Sequence, residues 1–117
     1  MVFKKTPKLA VIVIGKDQQN EKYINQKYLI SQKLGIDFEL LKYSENIDQA
    51  SIISKIYELN NNEQVNGIVV QIPIPQNIDR NKIVWAINPQ KDVDGFQMHL
   101  FRPPAPTAII DLLIRNK

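Results

Sequence analysis

Apolar and polar positions alternate in blocks along the chain. Leu9-Ala10-Val11-Ile12-Val13-Ile14 is an unbroken apolar run that stops at Gly15. A run this short and this uniform predicts a strand covered on both faces, as in a parallel sheet. The chain is then polar until Tyr23, where the spacing turns helical, and Gly35 predicts a left-handed end to that helix after Leu34. Ile36 to Leu41 predicts a second strand, because Asp37 and Glu39 alternate with apolar neighbours. Asp48 predicts the N-cap of a helix whose Ile52, Ile53, Ile56 and Leu59 make one apolar face and which ends near Asn60. Gly67 to Ile72 predicts a third strand, stopped by Pro73 and Pro75, which lack the N–H that a central ladder needs. Asp79 then predicts the cap of a shorter helix containing Ile83, Val84 and Ile87. From Pro103 a proline-punctuated loop leads into a largely apolar helix, Ile109 to Ile114, whose only polar residue is Asp111. Such a helix needs a partner surface.

Strand, helix, strand, helix, strand in this order predicts an α/β fold: a three-layer architecture, a mainly parallel sheet with helices on both faces. Sheets of this kind bind ligands outside the carboxyl ends of their strands. The places to search are therefore Gly15 to Lys27, the segment after Leu41, and Gln71 to Pro75.

Composition narrows the function classes. The chain has 117 residues, enough for one domain with its own core but not for two. Fifteen Lys and Arg against twelve Asp and Glu give a net charge of +3, spread along the chain, which argues against a nucleic-acid partner. No run approaches the roughly 18 apolar residues of a membrane span, and no signal-like apolar block precedes Leu9. With no cysteine, disulfides, thiol catalysis and thiolate metal sites are removed together, and a cytoplasmic protein is expected.

Four positions could carry chemistry. Helical steps of about 100° put Tyr23, Lys27, Ile30 and Leu34 within about 60° of one another, so Lys27 lies in line with an otherwise apolar stripe. Such a lysine either snorkels, its stem along the sheet and its ammonium in water, or is partly buried and poised for proton transfer, with Tyr23 one turn away offering an aromatic face to a flat ligand. Gln71, at the end of an apolar strand, can accept from an ammonium and donate to a ligand at once, and so can orient Lys27; the plainer alternative is a strand-end amide bonded to loop backbone. In Lys91-Asp92-Val93-Asp94-Gly95, two carboxylates lie two residues apart. The pattern resembles part of a calcium loop, but the remaining spacing and the terminal Glu are missing, so no metal is expected. Either Asp94-Gly95 is a turn and nothing more, or the Asp94 carboxylate takes paired N–H donors from a guanidine-like heterocycle edge. His99, the sole histidine, reads as a surface or packing residue. No Ser-His-Asp order, Gly-x-Gly-x-x-Gly or Walker loop is found, so no dinucleotide is expected to bind this chain in the standard way.

Taken in order, Pro7 to Gly15, Tyr23-Ile24-Asn25-Gln26-Lys27, Gly67-Ile68-Val69-Val70-Gln71-Ile72-Pro73-Ile74-Pro75 and Pro89-Gln90-Lys91-Asp92-Val93-Asp94-Gly95-Phe96 resemble the N-terminal catalytic domain of bifunctional methylenetetrahydrofolate dehydrogenase/methenyltetrahydrofolate cyclohydrolase. The Tyr-x-x-x-Lys pair is weak alone. Joined to Val-Gln-Ile-Pro-Ile-Pro and Lys-Asp-Val-Asp-Gly it is specific. The resemblance implies hydride transfer from 5,10-methylenetetrahydrofolate to NADP or NAD, then hydrolysis of the 5,10-methenyl form to 10-formyltetrahydrofolate. It implies that Lys27 is the catalytic lysine, that Gln71 positions it, that Tyr23 packs against folate with Ile72 and Pro73 in the substrate site, and that Asp94 holds the pterin.

The same resemblance marks departures. The family's leading helix is not seen ahead of the first strand, Asn20 stands where a serine is usual, Pro103-Pro104-Ala105-Pro106 stands where the family has Pro-Cys-Thr-Pro, and the connection from Gly95 to Pro103 is short. Residues 1–117 are therefore expected to be a truncated catalytic domain without the Rossmann domain that binds NADP or NAD, impaired or inactive alone, and with no cofactor bound by this chain. The alternative is a non-catalytic relic or interaction module. Under either reading, Ile109 to Ile114 offers a surface for a second copy or for a cofactor domain.

Overall fold

The computed structural model describes residues 6–93. Its centre is a parallel sheet of β1 (Lys8–Ile14), β2 (Asp37–Tyr43) and β3 (Gly67–Val70), in the order β2-β1-β3. Three helices, α1 (Gln18–Leu34), α2 (Gln49–Asn60) and α3 (Arg80–Ala86), and a 3₁₀ turn at Pro89–Lys91 complete the described chain. β1 lies in the middle: Leu9 stands between Phe38 and Gly67, and Ile12 between Leu41 and Val70. That position explains its unbroken apolar run, since from Leu9 to Ile14 every residue is buried.

The period-two alternation of the strands sorts the core into two halves. Ala10, Ile12 and Ile14 of β1, with Ile68 and Val70 of β3, face Ile52, Ile56 and Leu59 of α2 and Ile83 of α3. Leu9, Val11 and Val13, with Val69, face the other way, toward Ile24 of α1 and Ile36 and Val93. The expected α/β fold, with helices on both faces of a parallel sheet, is the fold observed.

Local signals account for most element ends. Gly35 takes φ +70° after α1 and Gly15 takes φ +79° after β1, a region that side chains with a Cβ rarely enter. The Asp48 carboxylate accepts from the Ser51 backbone N–H and hydroxyl at the start of α2, and Asp79 accepts from the N–H groups of Asn81 and Lys82 at the start of α3. Three expected bounds need correction. Helix α1 begins at Gln18, a turn and a half before Tyr23, because Asp17 caps it: its side chain accepts from the Asn20 N–H and its carbonyl from the Glu21 N–H. Strand β2 runs on to Tyr43, whereas β3 ends at Val70 and Gln71 continues it by a single bond, its N–H donating to the Ile12 carbonyl at 2.9 Å.

The chain then returns beside β3. Asp92 bridges Ile68 in parallel fashion, and the Val93 side chain enters the α1-side core. Asp94, His99, the Gly95 to Pro103 connection, Pro103-Pro104-Ala105-Pro106 and Ile109 to Ile114 lie outside the described residues.

Candidate functional site

In the order β2-β1-β3 the chain leaves β1 toward one side, through α1 to β2, while β3 lies on the other. The crevice between the carboxyl ends of β1 and β3 is thus the switch point at which parallel sheets bind ligands. Helix α1 runs along one wall, and Gln71-Ile72-Pro73, with a cis bond between Ile72 and Pro73, forms the other.

Across this crevice the Lys27 Nζ donates to Gln71 Oε1 at 3.1 Å in a buried contact. Lys27 keeps only 8% of its surface exposed and Gln71 is also buried. The alternation of β3 explains why they meet: Gln71 is in phase with Val69 and therefore on the α1 side. Because an ammonium has no acceptor, the amide oxygen must face the lysine, and the amide nitrogen donates to the Ile72 carbonyl at 3.3 Å. Both readings of Gln71 are therefore realised at once: it bonds loop backbone and fixes the lysine head. Snorkelling into bulk water is not what this lysine does.

The buried line of α1 differs from the stripe that spacing suggested. Among the side chains described, the buried residues of this helix are Asn20, Ile24, Lys27 and Ser31, which 100° steps place within about 60° of one another. Lys27 does not lie in an apolar stripe but in a mostly polar one. Ile30 and Leu34 are half-buried at its side. Ser31 returns its hydroxyl to the Lys27 carbonyl at 2.8 Å. Tyr23 is 46% exposed at the margin of the line, one turn before Lys27, so its ring is open to a ligand. Ile72 is half-buried and Pro73 exposed on the facing wall. Lys27 and Gln71 thus meet in one crevice, with Tyr23 exposed one turn before Lys27 and Ile72 and Pro73 following Gln71 in the chain, and Asp94, one residue beyond Val93, falls outside the described chain.

Two polar residues, one beside the crevice and one away from it, carry more structure than their sequence signals suggested. Asn20, 1% exposed, donates from Nδ2 to the Pro73 carbonyl at 3.3 Å, while its Oδ1 is buried without a partner. Its signal was the spacing Asn20, Ile24, Lys27, Ser31, hidden because the line is polar. Lys91 donates to the carbonyls of Leu59, Asn60 and Asn62 at 3.0, 2.8 and 2.9 Å, closing the carboxyl end of α2. Burial draws its pKa below the usual lysine value, against the pull of the Glu63 carboxylate. Asn60 ties the same corner together, donating to the Ala86 carbonyl and accepting from the Asn88 N–H. The contacts of Lys91 and Asn60 with one another's segments span about thirty residues, beyond any local pattern. Asp92, read from the sequence as a loop carboxylate, is buried beside β3.

A dinucleotide pyrophosphate needs several backbone amides free at the first strand-to-helix turn. Here Gly15 is the one glycine of that turn, its N–H already donates to the Tyr43 carbonyl, and a Cβ on it would lie 3.5 Å from the Glu45 Cβ. Among the described residues, that turn does not offer the standard pyrophosphate site. Nor does any group of three or more His, Cys, Asp or Glu placed to hold a metal ion occur among them. No described helix is long and apolar enough to cross a membrane.

Comparison with known proteins shows the family and the fold. Residues 2–94 match the family described as tetrahydrofolate dehydrogenase/cyclohydrolase, catalytic domain. The bifunctional protein FolD of Helicobacter acinonychis (strain Sheeba) is 41% identical over 119 residues, which cover 93% of this chain and 41% of the relative. Among solved structures, the bifunctional FolD methylenetetrahydrofolate dehydrogenase/cyclohydrolase of Campylobacter jejuni superposes with a TM-score of 0.76 at 32% identity, covering 92% of this chain and 42% of that one. A 5,10-methylenetetrahydrofolate dehydrogenase from the silkworm Bombyx mori gives 0.76 at 29% identity, over 93% and 41%. The chain thus spans about two-fifths of the length of the relatives it matches.

Proposed function

Because the chain belongs to the family of tetrahydrofolate dehydrogenase/cyclohydrolase catalytic domains, we propose that its β1–β3 crevice binds a tetrahydrofolate derivative and that Lys27 is its proton-transfer group. The observation that carries this reading is the buried contact between Lys27 and Gln71. A lysine taken out of water and aimed by a single amide acceptor is arranged for chemistry at a fixed point rather than for solubility. In this reading the folate ring system lies between Tyr23 and the Ile72-Pro73 wall, with the Asp94 carboxylate holding the pterin. Water attacks the methenyl carbon with Lys27 assisting the accompanying proton transfer. One of the water's protons ends on N5 as the carbon–N5 bond breaks, the other is released as the formyl C=O forms, and 10-formyltetrahydrofolate is left. Gln71 is the positioning residue, since it acts through Lys27. Orientation of the reacting carbon toward the lysine is the main contribution such a crevice can make.

Oxidation of the methylene form is the other reaction of the family. NADP or NAD is assigned to no described residue, so this chain alone is proposed to carry the folate half of the site and to reduce no cofactor. The same reading places the protein in the cytoplasm and gives it neither a nucleic-acid nor a membrane partner; a second copy or a cofactor domain would meet it through Ile109 to Ile114.

The test is a calorimetric titration of the chain with 5,10-methenyltetrahydrofolate, with hydrolysis followed by the loss of that compound's absorbance. Calorimetry is preferred to tryptophan fluorescence because Trp85 sits on α3, across the sheet from α1, and is 62% exposed. Saturable binding is expected, and any turnover should vanish in Lys27→Ala with the fold intact. Absence of saturable heat, as a non-catalytic interaction module would give, or equal turnover in the variant, overturns the reading.

A further inference from the structure

Two hydrogen bonds join α1 to the segment after β3, and the proposed chemistry uses one of them. Lys27 reaches Gln71, and about 10 Å earlier along the same line of the helix Asn20 reaches the Pro73 carbonyl. We infer that Asn20 is a positioning residue of the crevice, a latch that holds the Gln71-Ile72-Pro73 wall at the separation from α1 that the Lys27–Gln71 contact requires.

Three observations bear on this. First, Pro73 offers only a carbonyl at this point, so the amide nitrogen must be the group that faces it, and the orientation of the Asn20 amide is fixed. Second, that orientation leaves Oδ1 buried with no donor. A buried acceptor without a partner destabilises the fold, so stability alone would favour an apolar side chain at this position. Third, the ladder to β1 ends with the bond from the Gln71 N–H to Ile12 and the wall next meets the core at Ile74, so the exposed Pro73 between them is tied to α1 through its carbonyl. The latch therefore acts on the stretch between those two anchors. This inference rests on the folate reading only for the identity of the ligand; the coupling of Asn20 to the Lys27–Gln71 contact stands apart from it.

The experiment compares the chain with Asn20→Leu and Asn20→Asp by thermal unfolding, by the NMR signals of the Gln71 side-chain amide without ligand, and by calorimetric titration with 5,10-methenyltetrahydrofolate. Leucine has nearly the same length and removes the unpartnered oxygen. Aspartate keeps the shape but loses the donor. The latch predicts that Asn20→Leu unfolds at the same or a higher temperature, that its Gln71 amide signals move toward those of Lys27→Met, and that its affinity falls about fivefold or more, the equivalent of one hydrogen bond. Asn20→Asp should shift the same signals and bind as poorly. Unmoved Gln71 signals overturn the inference, as does a loss of stability in Asn20→Leu with affinity unchanged, which would mark Asn20 as structural only. If the unaltered chain shows no saturable binding while the Gln71 signals of Asn20→Leu do shift, the folate reading fails and the latch is upheld.

Discussion

The two faces of the sheet are covered by helices built on opposite plans. Helix α2 lies on one face with an apolar line, Ile52, Ile56 and Leu59, fully embedded in the larger core cluster. Helix α1 lies on the other with Asn20, Ile24, Lys27 and Ser31, of which Ile24 alone is apolar. The strand residues beneath both helices are equally apolar, so the sheet does not account for the difference. Polar groups taken out of water lower stability unless each finds a partner, and on α1 all of them but the Asn20 Oδ1 find one in the wall after β3 or in the helix backbone. The α2 face carries the larger core cluster, and the α1 face gives up some stability to hold polar groups at the mouth of a crevice. Stability and site geometry are thus separated by the thickness of one sheet.

This contrast can be broken by substitution. The largest effect is expected on the apolar face: Ile56→Ala should lower the unfolding free energy by about 2–5 kcal/mol, because a fully buried side chain leaves a cavity. Chemical denaturation checks it, and a change below about 1 kcal/mol would mean that the α2 face is not the main support. Next, Lys91→Met should cost about 1 kcal/mol by releasing the three carbonyls at the end of α2, again read by denaturation. On the α1 face, Ser31→Ala should change stability by under about 1 kcal/mol, since the Lys27 carbonyl it touches belongs to a helix. The smallest effect concerns pH. Ser51 lowers the Asp48 pKa below 3.8 by donating both its hydroxyl and its N–H to the carboxylate. A depressed folded-state value means that this cap contributes fully above the unfolded value and that its contribution is lost as pH falls through the lower folded one. Asp48→Asn, which keeps a capping side chain, should therefore show a shallower loss of melting temperature on acidification than the parent chain.

The legible parts of the molecule were those written in local code. The run of β1, the caps at Asp48 and Asp79, the left-handed Gly35 and the apolar line of α2 each announce themselves within a few residues. What escaped was polar or distant. The first turns of α1 hide behind Gln18, Gln19, Asn20, Glu21 and Lys22, because helical periodicity shows in apolar residues and the capping Asp17 is one polar residue among several. The buried polar line went unseen for the same reason, although it carries the site. Lys91 was read as part of a loop motif, whereas its contacts reach back to the end of α2. The meeting of Lys27 with Gln71 was expected from their chemistry and from the family resemblance, and it followed in space from the phase of β3.

One measurement addresses the separation of stability from site directly: the double variant Lys27→Met/Gln71→Leu, compared with the parent chain in unfolding free energy and in binding of 5,10-methenyltetrahydrofolate. Replacing both partners by apolar groups of similar shape removes a buried charge together with its acceptor, at the cost of the 3.3 Å bond to the part-buried Ile72 carbonyl. The account predicts a chain at least as stable as the parent that has lost hydrolysis and saturable binding. A double variant that unfolds more readily and still binds as tightly as the parent would show that the pair holds the fold together and takes no part in the site.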